Sequence, residues 1–188
     1  MACGAIERCD FFPPDCECGI ERSWVQSGSH LSKIKLVRAN DCDSRPFDRQ
    51  KSGESDLDDM LGGGWPLGFS ALVWGQPGAG KSRLTYRWAS RVFSPALILC
   101  LENGPAPRCY TLARQLLEHA GGTIANVHFS NDAENWESHA NSINAKAIVV
   151  DAISIFSDPV ATLERLAHWA AKNKAFVWSI AHSTKAGD

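Results

Sequence analysis

The sequence predicts an α/β protein in which a mostly parallel sheet is covered by helices on both faces. Two observations lead to this fold class. From Leu72 onward, short apolar runs alternate with segments whose apolar residues recur at helical spacing, a succession typical of β-α-β units. The apolar runs are continuous rather than alternating, as expected of strands that are buried on both faces.

Five short apolar runs are predicted to be the strands of this sheet. In chain order they are SALVWG, ALILCLE, NVHFS, AKAIVVDAIS and AFVWSIAHS. In an open parallel sheet the carboxyl ends of the strands lie at one edge, where ligands bind. Side chains that directly follow these runs are therefore the first candidates for a functional site.

Four segments are predicted to be helices, each with one buried stripe. Pro107 and Gly121 bound the helix in PRCYTLARQLLEHA, and Asp158 and Pro159 are predicted to cap and open the helix in DPVATLERLAHWAAKNK. The predicted buried stripes are Leu84, Trp88 and Val92; Cys109, Leu112, Leu116 and Ala120; Trp136, Ala140 and Ile143; and Leu163, Leu166, Ala167 and Ala170.

Residues 1–45 differ in character from residues 46–188, which are predicted to form the main domain. This small N-terminal segment contains most of the cysteines, and FFPPD interrupts any regular element there. HLSKIKLVRA alternates weakly and is predicted to be one strand. The polar stretch RQKSGESD is interpreted as a connection into the core.

Composition places the chain among ordinary globular proteins, with 44% hydrophobic and 21% charged residues and a net charge of -2. The isoelectric point near 6.3 does not indicate a strongly basic nucleic-acid binder. Neither a secretory signal nor an apolar run approaching the ~18 residues of a membrane span is evident. We therefore expect a cytoplasmic protein with reduced thiols and no membrane partner.

The octapeptide GQPGAGKS lies between the first predicted strand and the first predicted helix. Gly75, Gly80, Lys81 and Ser82 match the P-loop pattern G-x-x-x-x-G-K-[ST]. Its backbone N–H groups and the following helix N-terminus favour phosphate oxygens. The predicted phosphate-binding residues are Gly75, Gln76, Pro77, Gly78, Ala79, Gly80, Lys81 and Ser82, with Lys81 at the β- and γ-phosphates and Ser82 also at Mg²⁺.

Two acids follow later strands and are candidates for the remaining roles. Asp151 ends the apolar run AIVVD and is predicted to hold Mg²⁺ through a water molecule. Glu102 ends the run in LILCLEN and would lie beside the γ-phosphate, where a group must orient the attacking water. Each acid alone is equally compatible with a solvated strand end or a helix cap.

These motifs, in this order, resemble the RecA-type ATPase superfamily and, within it, the RadA/Sms branch of bacterial DNA-repair ATPases. The lead-in SGESDLDDMLGGGWPLG, the P-loop, LCLEN, IVVDAISIF and IAHSTKAGD each resemble a segment of that family. The resemblance spans about residues 47–188. It implies a Mg²⁺-dependent ATPase in which Glu102 is the catalytic base, assisted by Lys81, and in which His182 and Lys185 sense the γ-phosphate.

The resemblance also implies partners and a zinc ribbon, and here the sequence departs from the family. RadA/Sms proteins act on single-stranded DNA as oligomers, so single-stranded DNA and further copies of the chain are candidate partners. Because the sequence given ends at HSTKAGD, we expect weak, salt-sensitive DNA binding and little ring formation. Cys16 and Cys18 show C-x-C spacing without a second pair, whereas structural zinc prefers C-x₂₋₄-C, so we expect no stoichiometric zinc.

Two other functions are compatible with the P-loop. One is a regulatory module that binds a nucleotide without hydrolysing it, although Glu102 favours hydrolysis. The other is a small-molecule P-loop kinase, which would require arginines in a lid. After Asp151 the sequence offers only Arg165, within a predicted helix. The kinase is therefore the less favoured alternative.

Overall fold

The computed structural model describes residues 47–182. The predicted N-terminal strand, Cys16, Cys18 and Lys185 lie outside these residues, and the predicted boundary between residues 45 and 46 stays a prediction. No helix within residues 47–182 is long and apolar enough to cross a membrane.

The described residues form two sheets and five α-helices. The strands are β1 (Arg49–Gln50), β2 (Trp65–Pro66), β3 (Ser70–Gly75), β4 (Ala96–Cys100), β5 (Val127–Ser130), β6 (Ala147–Asp151) and β7 (Phe176–His182). The helices are α1 (Ser55–Met60), α2 (Lys81–Val92), α3 (Arg108–His119), α4 (Trp136–Ser142) and α5 (Pro159–Asn173), with a 3₁₀ turn at Ile153–Ile155.

The main sheet has five parallel strands in the order β3-β7-β6-β4-β5. Each of the five predicted runs contains one of these strands. Consecutive side chains of a strand point to opposite faces, so Ile98 and Cys100 enter one apolar cluster while Leu97 and Leu99 enter the other. The predicted α/β class, with helices on both faces of a parallel sheet, is confirmed.

Two apolar clusters hold helices against the two faces of this sheet. One contains residues of α2 and α3 together with an aromatic group in which Trp65, Trp88 and Trp178 have ring centroids 5.1 to 6.3 Å apart. The other contains residues of α4 and α5, including Trp136 and Trp169. Aromatic pairs at such separations contribute packing energy beyond their buried area.

Two predicted buried stripes were wrong in detail. Leu84 of α2 is 37% exposed and Leu112 of α3 is 40% exposed. The buried faces of these helices instead include Tyr86 and Ala89 on α2, and Ala113 and Leu117 on α3. The sheet and the neighbouring helix select which side of a helix is covered, and a spacing pattern with several apolar residues does not resolve that choice.

Residues 49–66, which precede β3, pack onto the core and include a small two-stranded sheet. β1 pairs with β2 in antiparallel register, and the buried Asp58 accepts a hydrogen bond from the Ser52 backbone N–H at 2.6 Å. Gly64 has φ +115, and a Cβ added there would lie 2.4 Å from the Gln50 carbonyl oxygen. A side chain at this glycine is therefore excluded by close backbone approach.

Candidate functional site

The strand register brings the carboxyl ends of four strands to one edge of the sheet. Gly75 of β3 is opposite His182 of β7, and Asp151 of β6 is opposite both Ile180 of β7 and Cys100 of β4. Glu102 follows β4, and its backbone N–H donates to the Asp151 carbonyl oxygen at 3.2 Å. Three side chains far apart in sequence thus meet beside the P-loop.

The loop from Gly75 to Ser82 turns directly into α2. Gly78 and Gly80 have φ +81 and +86, a left-handed conformation that other residues adopt only with strain. Gly80 precedes α2 as its N-cap and offers no side chain to bond the first-turn N–H groups. These donors and the helix dipole are available to an anion.

Lys81 extends its ammonium group along the loop. Its Nζ donates to the carbonyl oxygens of Gly75 at 2.8 Å and Gln76 at 2.9 Å, and lies 3.0 Å from His182 Nδ1. The residue is only 7% exposed. Because an ammonium has donors and no acceptor, Nδ1 of His182 is the acceptor in this contact.

His182 connects this lysine to Glu102. Its Nε2 lies 3.0 Å from Glu102 Oε2. With Nδ1 accepting from Lys81, the ring proton is on Nε2, which donates to the carboxylate. Lys81, His182 and Glu102 therefore form one continuous hydrogen-bonded chain at the sheet edge.

Asp151 is a deeply buried acid at this edge, with 1% exposure. Its Oδ2 accepts a hydrogen bond from the Tyr86 hydroxyl at 2.9 Å, while its Oδ1 is buried with no partner. Burial raises the pKa of Asp151, and the nearby hydroxyls of Ser82 and Tyr86 partly offset that rise. A buried carboxylate oxygen without a donor is costly, and a cation with its waters would satisfy Oδ1.

Among residues 47–182, one group of three side chains has the composition of a divalent-metal site. Ligand atoms of Glu102, Asp151 and His182 all lie within 4.8 Å of one another. The Lys81 ammonium, however, occupies the other nitrogen of the same imidazole. The positive charge of Lys81 beside His182 favours an anionic group, rather than a metal cation, between these three side chains.

The structure thus gathers most of the predicted site residues. The loop residues Gly75, Gln76, Pro77, Gly78, Ala79, Gly80, Lys81 and Ser82 lie beside Glu102, Asp151 and His182, whereas Lys185 is outside the described residues. Sequence reasoning missed Tyr86. The available signal was a tyrosine five positions after Lys81, in a helix predicted to pack on the sheet.

Comparison with known proteins establishes the fold. No family model matches the chain, and no curated protein matches it. Among solved structures it is similar to the KaiC-like protein PH0186 from Pyrococcus horikoshii OT3, with 20% sequence identity and a TM-score of 0.52. The match covers 73% of this chain and 72% of that chain.

The described residues have a RecA-like fold. This conclusion rests on the five-stranded parallel sheet with helices on both faces and on the similarity to the KaiC-like structure. At this level of identity the similarity concerns the fold alone.

Proposed function

We propose that this chain binds Mg-ATP at the P-loop and hydrolyses it. One observation carries the proposal: the fold places Lys81, Asp151, Glu102 and His182 together, where Lys81 Nζ lies 3.0 Å from the imidazole that contacts Glu102. A P-loop, a buried acid and a second acid at the same sheet edge are the parts required for phosphoryl transfer to water.

Binding of the phosphates depends on the loop and its lysine. The backbone N–H groups after Gly78 and at the start of α2 would surround the β- and γ-phosphate oxygens. Lys81 would exchange its carbonyl contacts with Gly75 and Gln76 for phosphate oxygens. The exchange is favourable because phosphate oxygens carry negative charge, whereas the carbonyl oxygens are neutral.

The donor set near Asp151 fits a magnesium ion. Mg²⁺ prefers oxygen ligands and keeps several of its waters, which matches the Ser82 hydroxyl and the unpartnered Asp151 Oδ1. Ser82 would bind the ion directly, and Asp151 would bind one of its waters. When bound, the ion would neutralise charge on the phosphate oxygens.

Glu102 is proposed to be the base for the attacking water. The water oxygen would form a bond to the γ-phosphorus while the bond from that phosphorus to the β–γ bridging oxygen breaks, and the water proton would pass to Glu102. His182 holds Glu102 Oε2 in the present arrangement. A γ-phosphate that engages Lys81 or His182 would therefore also change the partners of the base.

We further propose that the ATPase acts in DNA repair or recombination, on the strength of the ordered resemblance to RadA/Sms proteins. Single-stranded DNA, weakly bound, and further copies of the chain, with little ring formation, are the candidate partners, and the cytoplasm is the expected compartment. The test is phosphate release with and without single-stranded DNA at several salt concentrations, with sedimentation in the presence of ATP. With a net charge of -2, we expect weak binding that weakens further as salt rises. DNA without any effect on turnover or sedimentation would contradict the repair assignment.

Lys81→Ala tests the core proposal. This substitution removes the charge at the β- and γ-phosphates, so we expect affinity for a fluorescent ATP analogue to fall by about tenfold or more, as for loss of a charge-assisted hydrogen bond. Lys172→Ala, which changes an exposed lysine of α5, is the matched control.

Unchanged affinity in folded Lys81→Ala would contradict the P-loop assignment. Phosphate release by the unmodified chain decides between the two remaining functions. Nucleotide binding without any phosphate release would favour the non-hydrolysing regulatory module.

A further inference from the structure

Tyr86 connects the P-loop helix to the acid at the end of β6. It lies on α2, five residues after Lys81, and its side chain is fully buried. Its hydroxyl donates a hydrogen bond to Asp151 Oδ2 at 2.9 Å. The residue belongs neither to the P-loop pattern nor to the strand that carries Asp151.

The chemistry of the pair makes Tyr86 the donor. An ionised carboxylate only accepts hydrogen bonds. A phenol is ordinarily protonated at neutral pH, so the Tyr86 hydroxyl is the group that donates in the 2.9 Å contact with Asp151 Oδ2.

The two carboxylate oxygens of Asp151 differ in their hydrogen bonding. Oδ2 is satisfied by Tyr86, while Oδ1 is buried and has no partner. Rotation of the carboxylate would break its hydrogen bond to Tyr86, and the loss of a buried hydrogen bond to a charged group is costly. The tyrosine thus opposes rotation and keeps Oδ1 available.

We propose that Tyr86 is a positioning residue that holds Asp151 so that its Oδ1 accepts from a magnesium-bound water. This inference rests on the proposed Mg-ATP function and adds a residue to it. Groups that orient a metal-binding side chain change metal affinity or activity by about 10- to 100-fold when they are removed. The expected phenotype is therefore a loss of magnesium dependence rather than a loss of nucleotide binding.

The primary test measures how strongly Mg²⁺ improves ATP binding. The dissociation constant of a fluorescent ATP analogue is determined in EDTA and in saturating Mg²⁺, and the ratio of the two values is compared between variants. In Tyr86→Phe we expect the ratio to fall by about tenfold, with affinity in EDTA unchanged. A ratio equal to that of the parent would overturn the proposal.

Tyr110→Phe is the matched control for this change. It also removes one phenolic hydroxyl, but that hydroxyl bonds to Asn131 Oδ1 at 2.8 Å, beside β5. We expect its magnesium ratio to equal that of the parent. A similar fall in both variants would mean that the effect is structural, and would overturn the positioning role.

A double-mutant cycle tests whether Tyr86 acts through Asp151. In an Asp151→Asn background, Tyr86→Phe should change the magnesium ratio by less than twofold, because the acid that it positions is already absent. A full tenfold effect in that background would show that Tyr86 acts by another route.

A second measurement keeps the hydroxyl in place and so does not depend on the folding of Tyr86→Phe. The chain has two tyrosines, so 3-fluorotyrosine in the Tyr110→Phe variant gives one fluorine signal, from position 86. We expect the chemical shift of this signal to change when Mg²⁺ is added to the ATP complex. In the Asp151→Asn variant we expect no change on addition of Mg²⁺. No shift in the presence of Asp151 would overturn the proposal.

The two hypotheses fail in different ways. If the parent binds no ATP, or binds it equally well with and without Mg²⁺, the proposed function is wrong and the role of Tyr86 is wrong with it. If the parent shows a clear magnesium ratio that Tyr86→Phe leaves unchanged, only the role of Tyr86 is wrong.

Discussion

At the scale of single residues, Lys81 joins the P-loop to the groups beyond it. Its ammonium has three donors, and they contact the carbonyls of Gly75 and Gln76 and the imidazole of His182. The same imidazole contacts Glu102. A phosphate that takes one of these donors therefore changes the environment of the proposed base.

Glu102→Gln is expected to separate binding from hydrolysis. The amide preserves the shape of the side chain and still accepts a hydrogen bond from His182, but it does not take a proton from water. We expect ATP affinity to stay within about twofold and turnover to fall by about 10²- to 10⁴-fold, the usual contribution of a general base. Phosphate release and equilibrium binding of an ATP analogue provide the two measurements.

Glu164→Gln, at an exposed position of α5, is the control for the Glu102 variant. It makes the same chemical change away from the loop and should leave turnover unchanged. If Glu102→Gln hydrolyses ATP at the parental rate, Glu102 is not the general base and another residue has that role.

At the scale of elements, α5 shows how a local signal and a tertiary contact combine. Asp158 caps the helix by accepting a hydrogen bond from the Ala161 N–H at 2.9 Å, and Pro159 is its first residue, so the predicted start is confirmed. Leu166 and Ala170 then pack into the apolar cluster that contains Val177 of β7. The helix thereby supports the strand that ends at His182.

Asp158→Ala is expected to destabilise the fold through the start of α5. Loss of an N-cap of this type costs about 1 kcal/mol, which lowers the melting temperature by about 2–4 °C in a chain of this size. Thermal unfolding followed by circular dichroism measures the change. Asp158→Ser retains a capping oxygen and should recover most of the stability, and equal losses in the two variants would contradict the capping role.

At the scale of the whole molecule, two apolar clusters on opposite faces of the main sheet hold its strands in place, and with them the strand ends that form the site. The aromatic group around Trp178 lies on one face and the cluster around Trp169 on the other. Between them, β6 and β7 are buried nearly throughout. A ligand at the sheet edge therefore stabilises the same unit that these clusters build.

Mg-ATP is accordingly expected to raise the melting temperature of the chain. A ligand that binds only the folded state at 100 times its dissociation constant adds about 2.7 kcal/mol, which corresponds to about 5–10 °C. Thermal unfolding is measured with and without Mg-ATP. Lys81→Ala should show little of this shift at the same nucleotide concentration, and an equal shift in both chains would place the nucleotide elsewhere.

Local patterns were sufficient for the fold class, the five main strands, the P-loop and the start of α5. Each depends on interactions between near neighbours: continuous apolar runs, glycines in left-handed turns, and a capping oxygen three residues from the N–H that it accepts. The ordered motifs also identified Glu102, Asp151 and His182 as candidates, because strand ends of a parallel sheet converge.

Only the tertiary structure established which candidates touch and which helix faces are covered. The chain from Lys81 through His182 to Glu102 joins residues from three different strand ends, and the bond from Tyr86 to Asp151 spans 65 positions. Such contacts depend on strand order and register, which no local pattern encodes. The exposure of Leu84 has the same origin, because the neighbouring sheet and helix choose the buried face of α2.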